Sequence, residues 1–274
     1  MAGMTGLVRA EFRKAFSTKL WWALLVPVVV LSLLVNLFGG LFTASLADAH
    51  AGTGVPPILL GSLAYSLSLT SVFAALYGVV TAAAEFRHRT ITTAYLTAQG
   101  RGRVFTAKAV STGAVGALYA AATVVVGVLA GLVAHSGLPG VGALAAVTAV
   151  GLLVAALWAV LGTALGTVIS NQATALVVTL VYMLVAETLL SLLLGRSDNP
   201  VAAGLAAYLP VNAGDVAVYD VAGRALLGDG TQLAELLAGV SRPPPWWGAL
   251  LVLAAWTAAA AATAWLVGRR RDIT

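Results

Sequence analysis

Few residues of this chain can make specific polar contacts, and the densest group of them is the segment Glu85-Phe86-Arg87-His88-Arg89-Thr90-Ile91. It separates two apolar stretches that are each long enough to cross a bilayer. Its charges must therefore lie at a membrane surface or against a partner protein. His88 is expected to be a solvated contact residue and not a metal ligand.

Catalytic chemistry has little support in the sequence. The hydrophilic stretch 196–245 contains no paired carboxylates, histidine cluster or Ser/His/Asp arrangement, which counts against a membrane-bound enzyme. Cysteine is absent, so disulfides and thiolate metal sites are excluded. We expect no catalytic, metal or cofactor-binding residues in this chain.

Composition predicts an integral membrane protein. The chain is 60% hydrophobic and 9% charged with a mean hydropathy of +0.97, whereas a soluble domain carries about 25% charged residues. No Asp, Glu, Lys or Arg occurs from Ala109 to Ala186. A soluble protein with that sequence would expose apolar surface and aggregate. We therefore predict an all-α fold that forms one transmembrane domain over residues 1–274.

Six segments reach the roughly 20 apolar residues that a membrane-spanning helix needs. They are 20–46, 58–84, 109–134, 141–169, 173–194 and 246–267. The short breaks at 135–140 and 170–172 contain turn residues and no charge, so they predict two tight helical hairpins.

The distribution of lysine and arginine predicts the orientation of the helices. With the N-terminus in the cytoplasm, twelve of the 15 basic residues lie inside, and only Arg196, Arg224 and Arg242 lie outside. Both termini are then cytoplasmic, and 196–245 is extracellular. A cleaved signal peptide is the alternative for the first segment, but its uncharged run from Leu20 to Ala47 exceeds the usual 7–15-residue signal core.

An amphipathic interfacial helix is predicted over residues 5–19. Leu7, Val8, Phe12, Ala15 and Phe16 recur at helical spacing, and basic residues occupy the other faces. Such a helix suits the headgroup region of a membrane, where aromatic rings and basic side chains bind lipid. An ordinary cytoplasmic flank is the alternative. The predicted membrane anchors are Arg9, Phe12, Arg13, Lys14, Trp21 and Trp22.

The cytoplasmic loop 85–108 could contain a short helix of its own. Thr90 could cap it, and Ile91, Tyr95 and Leu96 would then form an apolar edge that docks into a groove on another protein. The alternative is that the charges of this loop only mark helix ends on the cytoplasmic side.

Two polar residues within the predicted spans are candidates for the transport pathway or a dimer seam. Glu187 is the one ionisable residue there, and an uncompensated charge in a bilayer costs about 2.5–3.5 kcal/mol at the helix centre. It should therefore face a cavity or a polar partner, and a hydrogen-bonded packing role is the alternative. For Asn36 an interhelical hydrogen bond is favoured over a substrate contact.

Several segments together resemble the ABC-2 type transporter permeases. They are Arg9-Ala10-Glu11-Phe12-Arg13-Lys14 with Ser17-Thr18-Lys19-Leu20-Trp21-Trp22, Glu85 to Ile91 with Arg101, Arg103 and Lys108, Gly162 to Gly166 with Ser170 to Ala175, Leu209-Pro210, and the final Arg269-Arg270-Arg271-Asp272-Ile273. The resemblance spans the whole chain in the order of six helices. It implies the ABC-2 exporter fold, with short gate helices possible within 196–245.

The resemblance also implies partners and a mechanism. Members of this family act as two membrane subunits, identical or related, docked on two ATP-binding subunits that carry the ATP and Mg²⁺. No Gly-x-x-x-x-Gly-Lys-Ser/Thr phosphate loop occurs in this chain, so we expect ATP hydrolysis on a separate polypeptide and no enzyme activity here. No nucleic-acid partner is expected. The implied coupling residues are Glu85, Phe86, Arg87, His88, Arg89, Thr90, Ile91, Tyr95 and Leu96.

The expected function is export of an amphiphilic or hydrophobic compound from the cytoplasm or inner leaflet by alternating access. A secondary transporter or channel without an ATPase partner is the alternative. Twelve arginines beside three lysines, with abundant Ala, Gly and Val, indicate a GC-rich bacterial genome. The expected location is the bacterial plasma membrane.

Overall fold

The computed structural model describes residues 3–49, 59–87, 100–134, 137–197 and 199–270; for 42–49, 101 and 270 it describes the backbone only. About 90% of the described residues are helical, and no strand occurs among them. Six helices are long and apolar enough to cross a membrane. The predicted all-α, multi-pass class is therefore confirmed.

Eleven α-helices form the described part of the chain. They are α1 (Met4–Ser17), α2 (Leu20–Ala49), α3 (Leu59–Arg87), α4 (Arg101–Val133), α5 (Val141–Ile169), α6 (Gln172–Val181), α7 (Glu187–Gly195), α8 (Pro200–Leu205), α9 (Pro210–Leu227), α10 (Gly230–Ala238) and α11 (Trp246–Arg270). A π-helical turn, Tyr182–Ala186, joins α6 to α7, and a 3₁₀ turn, Ala206–Tyr208, follows α8.

The six long apolar segments lie close to the predicted ones. They are Leu20–Leu41, Leu59–Arg87, Gly102–Val133, Val141–Ile169, Gln172–Gly195 and Trp246–Arg269. The largest difference is at the third, which begins near Gly102 and not at Ala109. Hydropathy alone placed the start too late, because the polar first two turns of α4 continue the same helix.

The turn between α5 and α6 has the residue chemistry that a tight helical hairpin needs. Ser170 ends α5 in a left-handed conformation at φ 56°. The side chain of Asn171 accepts a hydrogen bond of 3.1 Å from the backbone N–H of Thr174 and so caps α6. These two residues reverse the chain with no loop between the helices.

The centre of the bundle is a close contact between α3 and α5. A Cβ atom added at Gly162 would collide with the carbonyl oxygen of Ala75, and one at Gly166 would collide with that of Val79. The Gly162-x-x-x-Gly166 spacing therefore serves packing within this chain, where small residues let two backbones approach. A hydroxyl pair at 2.8 Å, Thr112 with Thr163, joins α4 to the same helix.

The stretch 196–245 is mostly helical, with α8, α9 and α10 within it. The segments 200–208 and 210–227 meet at an angle of 83°, so together they form either a broken span or a re-entrant loop. Two thirds of α9 is buried, and this helix packs against α3, α5 and α11. Small residues such as Ala213, Gly214 and Ala217 allow this, because they leave room for close neighbours.

Candidate functional site

Four charged side chains meet where α1, the end of α3 and the start of α4 come together. Glu11 and Lys14 lie one turn apart on α1, Glu85 lies two residues before the end of α3, and Lys108 is the eighth residue of α4. We call these four residues the charge cluster. Because α3 and α4 flank residues 88–99, the cluster ties α1 to both sides of that segment.

The cluster is a closed ring of alternating charges. Lys14 Nζ lies 2.5 Å from Glu11 Oε1 and 3.1 Å from Glu85 Oε1. Lys108 Nζ lies 3.1 Å from Glu11 Oε2 and 2.8 Å from Glu85 Oε1. Each ammonium group therefore contacts both carboxylates, so the two positive and two negative charges compensate one another.

Three of the four side chains are removed from solvent. Glu11, Glu85 and Lys108 are 7%, 8% and 6% exposed, whereas the Lys14 side chain is half exposed. Burial by itself raises the pKa of Glu11, but Lys108 and Lys14 together outweigh it, and the pKa is lowered. Burial by itself lowers the pKa of Lys14, but the two carboxylates reverse that effect and raise it. Both residues are charged at neutral pH.

A cavity of about 680 Å³ lies beside the charge cluster. Its wall also includes Thr81, Thr112 and Gln172, and the cluster residues line one side of it. Within the described residues, no group of three or more His, Cys, Asp or Glu side chains could hold a metal ion. The arrangement therefore offers an electrostatic junction between helices and no evident catalytic group.

The structure describes three of the nine predicted coupling residues. Glu85 is buried and forms ion pairs with Lys14 and Lys108 inside the chain. Phe86 is half-buried, and Arg87 is exposed and donates a 3.2 Å hydrogen bond to Gln172 at the start of α6. The remaining predicted residues, His88, Arg89, Thr90, Ile91, Tyr95 and Leu96, lie outside the described ranges.

The predicted membrane anchors divide into two groups. Arg9, Arg13 and Trp22 are exposed, as a membrane-facing role requires. Phe12 stacks on Phe16 with ring centroids 6.3 Å apart, Phe16 meets Trp21 edge-on at 5.4 Å, and Trp21 is half-buried.

Lys14 differs from the other predicted anchors because its ammonium group belongs to the charge cluster. Its charge forms ion pairs with Glu11 and Glu85.

Asn36 joins α2 to α3. It is fully buried, and its amide donates to the Ser32 carbonyl at 2.8 Å and to Ser66 Oγ at 3.2 Å. Its Oδ1 accepts a bond of 2.9 Å from Ser62. Among the described residues, these hydrogen bonds join two neighbouring helices, which is the interhelical contact that the sequence favoured; a substrate contact stays untested.

Glu187 caps the first turn of α9. Its Oε1 accepts a 2.7 Å hydrogen bond from the Asn212 backbone N–H, and its Oε2 accepts one of 3.0 Å from Val211. A carboxylate at a helix N-terminus satisfies unpaired N–H groups and is favoured by the helix dipole. The side chain is 1% exposed. Within this chain Glu187 therefore makes the contacts of a hydrogen-bonded packing residue; a role at the transport pathway or a dimer seam stays a prediction.

Three functional positions could not be assigned from sequence. Glu11 and Lys108 appear there only as parts of basic segments, yet they are half of the charge cluster. Asp220 appears there only as an external acid, yet its Oδ2 accepts a 2.9 Å hydrogen bond from the backbone N–H of Trp246, which begins α11. The sequence did contain one signal for the cluster. Glu11 and Glu85 are the only acidic residues in the predicted cytoplasmic segments before Asp272.

No family model matches the sequence, and no curated protein matches it.

Proposed function

We propose that this chain is the membrane-spanning subunit of an ATP-driven exporter of the ABC-2 permease type, located in a bacterial plasma membrane. The observation that carries the proposal is the charge cluster, which joins α1 to α3 and α4 on both sides of residues 88–99. A segment that receives a mechanical input needs rigid attachment at both ends, because flexible ends would absorb the motion. Export of an amphiphilic compound is the activity that this arrangement and the resemblance support.

In the proposed mechanism, two ATP-binding subunits dock on the segment 85–99 of two copies of this chain. Closure of the ATP-binding subunits pushes the segment, and the charge cluster passes the displacement to α1, α3 and α4 together. Because α3 packs closely against α5 through Gly78 and Gly162, the motion of α3 moves the centre of the bundle. The bundles then alternate between inward and outward access.

The proposed orientation places both termini and residues 88–99 in the cytoplasm. The ends of α1, α3, α4 and α11 meet at one end of the bundle, since the charge cluster joins the first three and Trp265 lies against Gly102. The basic residues near that end support a cytoplasmic location. The opposite end carries the turn between α4 and α5.

The absence of cysteine makes single-cysteine mapping direct. In intact cells, Lys19→Cys and Arg89→Cys should resist a membrane-impermeant maleimide, whereas the matched control Gly140→Cys at the opposite end should react. Labelling of Lys19→Cys from outside would contradict the orientation. The same Arg89→Cys chain, treated with a thiol crosslinker in membranes, should join to a protein identified by mass spectrometry as an ATP-binding subunit, and Gly140→Cys should not.

Function is tested by transport. The purified complex should hydrolyse Mg-ATP and move an amphiphilic dye into inverted vesicles only with hydrolysable nucleotide. If the chain alone, reconstituted without any ATPase, moves the dye down an ion gradient, the exporter proposal is wrong and the secondary-transporter alternative holds.

A further inference from the structure

The acidic residues near α9 differ in the hydrogen bonds that their carboxylate oxygens accept. Both oxygens of Glu187 accept backbone N–H groups of α9. Asp220 Oδ2 accepts hydrogen bonds of 2.9 Å from Trp246 N and from Arg224 Nε. These two carboxylates hold helix ends in place, so they are occupied by the fold.

The Asp215 carboxyl group on α9 accepts fewer hydrogen bonds. Its Oδ1 accepts one hydrogen bond of 2.6 Å from Ser68 Oγ on α3. Among the described residues, no lysine, arginine or histidine forms an ion pair with it, and its Oδ2 has no hydrogen-bond partner. The Oδ2 atom is not fully buried, and the Asp215 side chain is partly exposed. Within the described residues, Asp215 therefore keeps one carboxyl oxygen without a protein partner, in a side chain that is only partly buried.

The surface beside Asp215 is apolar. Ser68 lies on a face of α3 that the described residues cover only in part, and Tyr65, one turn before it, is 44% exposed. Leu69, Val72 and Leu76 continue the same face at helical spacing and are partly exposed. A ligand lying on this face would meet aliphatic side chains along its length, with an aromatic ring and a carboxylate near one end.

We propose that Asp215 and Tyr65 bind the cationic group of an amphiphilic substrate whose apolar body lies along Leu69, Val72 and Leu76. Charge complementarity selects this occupant, because an ionisable side chain in a membrane protein requires a polar or charged partner and the part of the chain that the structure describes supplies none for Oδ2. Tyr65 lies one helical turn from Ser68, the hydrogen-bond partner of Asp215, so its ring could add a cation–π contact to the same cationic group. The inference rests on the proposed function, of which it names the substrate class.

The probe for the test is tetraphenylphosphonium, a lipophilic cation, with tetraphenylborate as an anion of nearly the same size and shape. Binding is measured on the full chain in detergent without nucleotide or ATPase, so its outcome is independent of ATP coupling. Asp215→Asn keeps the acceptor for Ser68 and removes the charge. It should weaken binding of the cation about tenfold, as loss of a charged contact does, and should not weaken binding of the anion.

Three further variants keep the proposal testable if Asp215→Asn folds poorly. Tyr65→Leu should weaken cation binding several-fold while Tyr65→Phe, which keeps the ring, should not; Tyr65 is exposed, so folding is spared. Glu235→Gln removes an exposed acid from the neighbouring α10 and should leave binding unchanged. Equal affinity of wild type and Asp215→Asn for the cation, or equal effects of Asp215→Asn and Glu235→Gln, would overturn the proposal.

Discussion

Lys108 Nζ on α4 lies 2.8 Å from Glu85 Oε1 on α3, and both side chains are buried. The two residues belong to helices on either side of residues 88–99, so this ion pair closes the base of that segment. Glu11 and Lys14 extend the pair to α1. The N-terminal helix α1 is therefore joined to the proposed coupling site by ion pairs.

Removal of one charge from the ion pair between Glu85 and Lys108 should lower the stability of the protein. Glu85→Gln leaves Lys108 buried with one carboxylate fewer, and breaking a buried ion pair destabilises a protein by about 3 kcal/mol. We expect a clearly lower thermal midpoint in detergent. The double variant Glu85→Gln/Lys108→Met removes both buried charges and should regain at least half of the loss, which a double-mutant cycle measures. If the double variant is as unstable as the sum of the two single variants, the pairing has no energetic role.

Acid should weaken the attachment of α1. The pKa of Glu11 in the folded protein is lower than its ordinary value of 4.5, so its contribution to stability is fully present above pH 4.5 and is lost as pH falls through the folded value. The thermal midpoint of the wild type should fall below pH 4.5 more steeply than that of Glu11→Gln. Parallel pH profiles for the two proteins would contradict this prediction.

High pH should weaken the contribution of Lys14. The pKa of Lys14 is raised above its ordinary value of 10.5, so its contribution is fully present below pH 10.5 and is lost as pH rises through the folded value. Lys14→Met should therefore show a shallower decline of the thermal midpoint above pH 10.5 than the wild type. Arg13→Met, which removes an exposed charge from the same helix, serves as the control and should follow the wild-type profile.

Glu187 should be a structural residue of α9. Glu187→Ala removes the acceptors of two N–H groups, and each group left unsatisfied costs about 1–3 kcal/mol. Hydrogen exchange of the Val211 and Asn212 amides should accelerate, and the thermal midpoint should fall; Glu235→Gln should change neither. Loss of transport with normal stability and normal exchange at these amides would instead indicate a pathway role.

The contact between α3 and α5 should tolerate no side chain at Gly162. A Cβ atom there meets the Ala75 backbone, which cannot move aside like a flexible side chain, so we expect Gly162→Ala to destabilise the protein by about 1–3 kcal/mol. Gly142→Ala lies on the same helix with open space around it and should be neutral or slightly stabilising. Equal thermal midpoints for the two variants would show that the helices are less closely packed.

Much of the fold follows from local pattern. Runs of apolar residues predicted all six long helices, and Ser170-Asn171-Gln172 predicted the hairpin between α5 and α6. Hydropathy missed the polar start of α4, since charged residues can extend a helix beyond an apolar core. The predicted extracellular stretch 196–245, with its possible gate helices, contains α9, and two thirds of that helix is buried; hydropathy did not indicate that burial.

The sequence by itself determined the all-α class, the six long apolar helices and the tight turn between α5 and α6. Backbone hydrogen bonds in a bilayer must be satisfied within each helix, so length and apolarity suffice for these features. Only the tertiary structure decided the roles of the charged residues. Lys14 and Glu85 are 71 positions apart, and Glu11 and Lys108 are 97 apart, so their pairing depends on which helix faces meet. The same packing distinguishes Glu187, whose oxygens cap α9, from Asp215, which keeps one oxygen open.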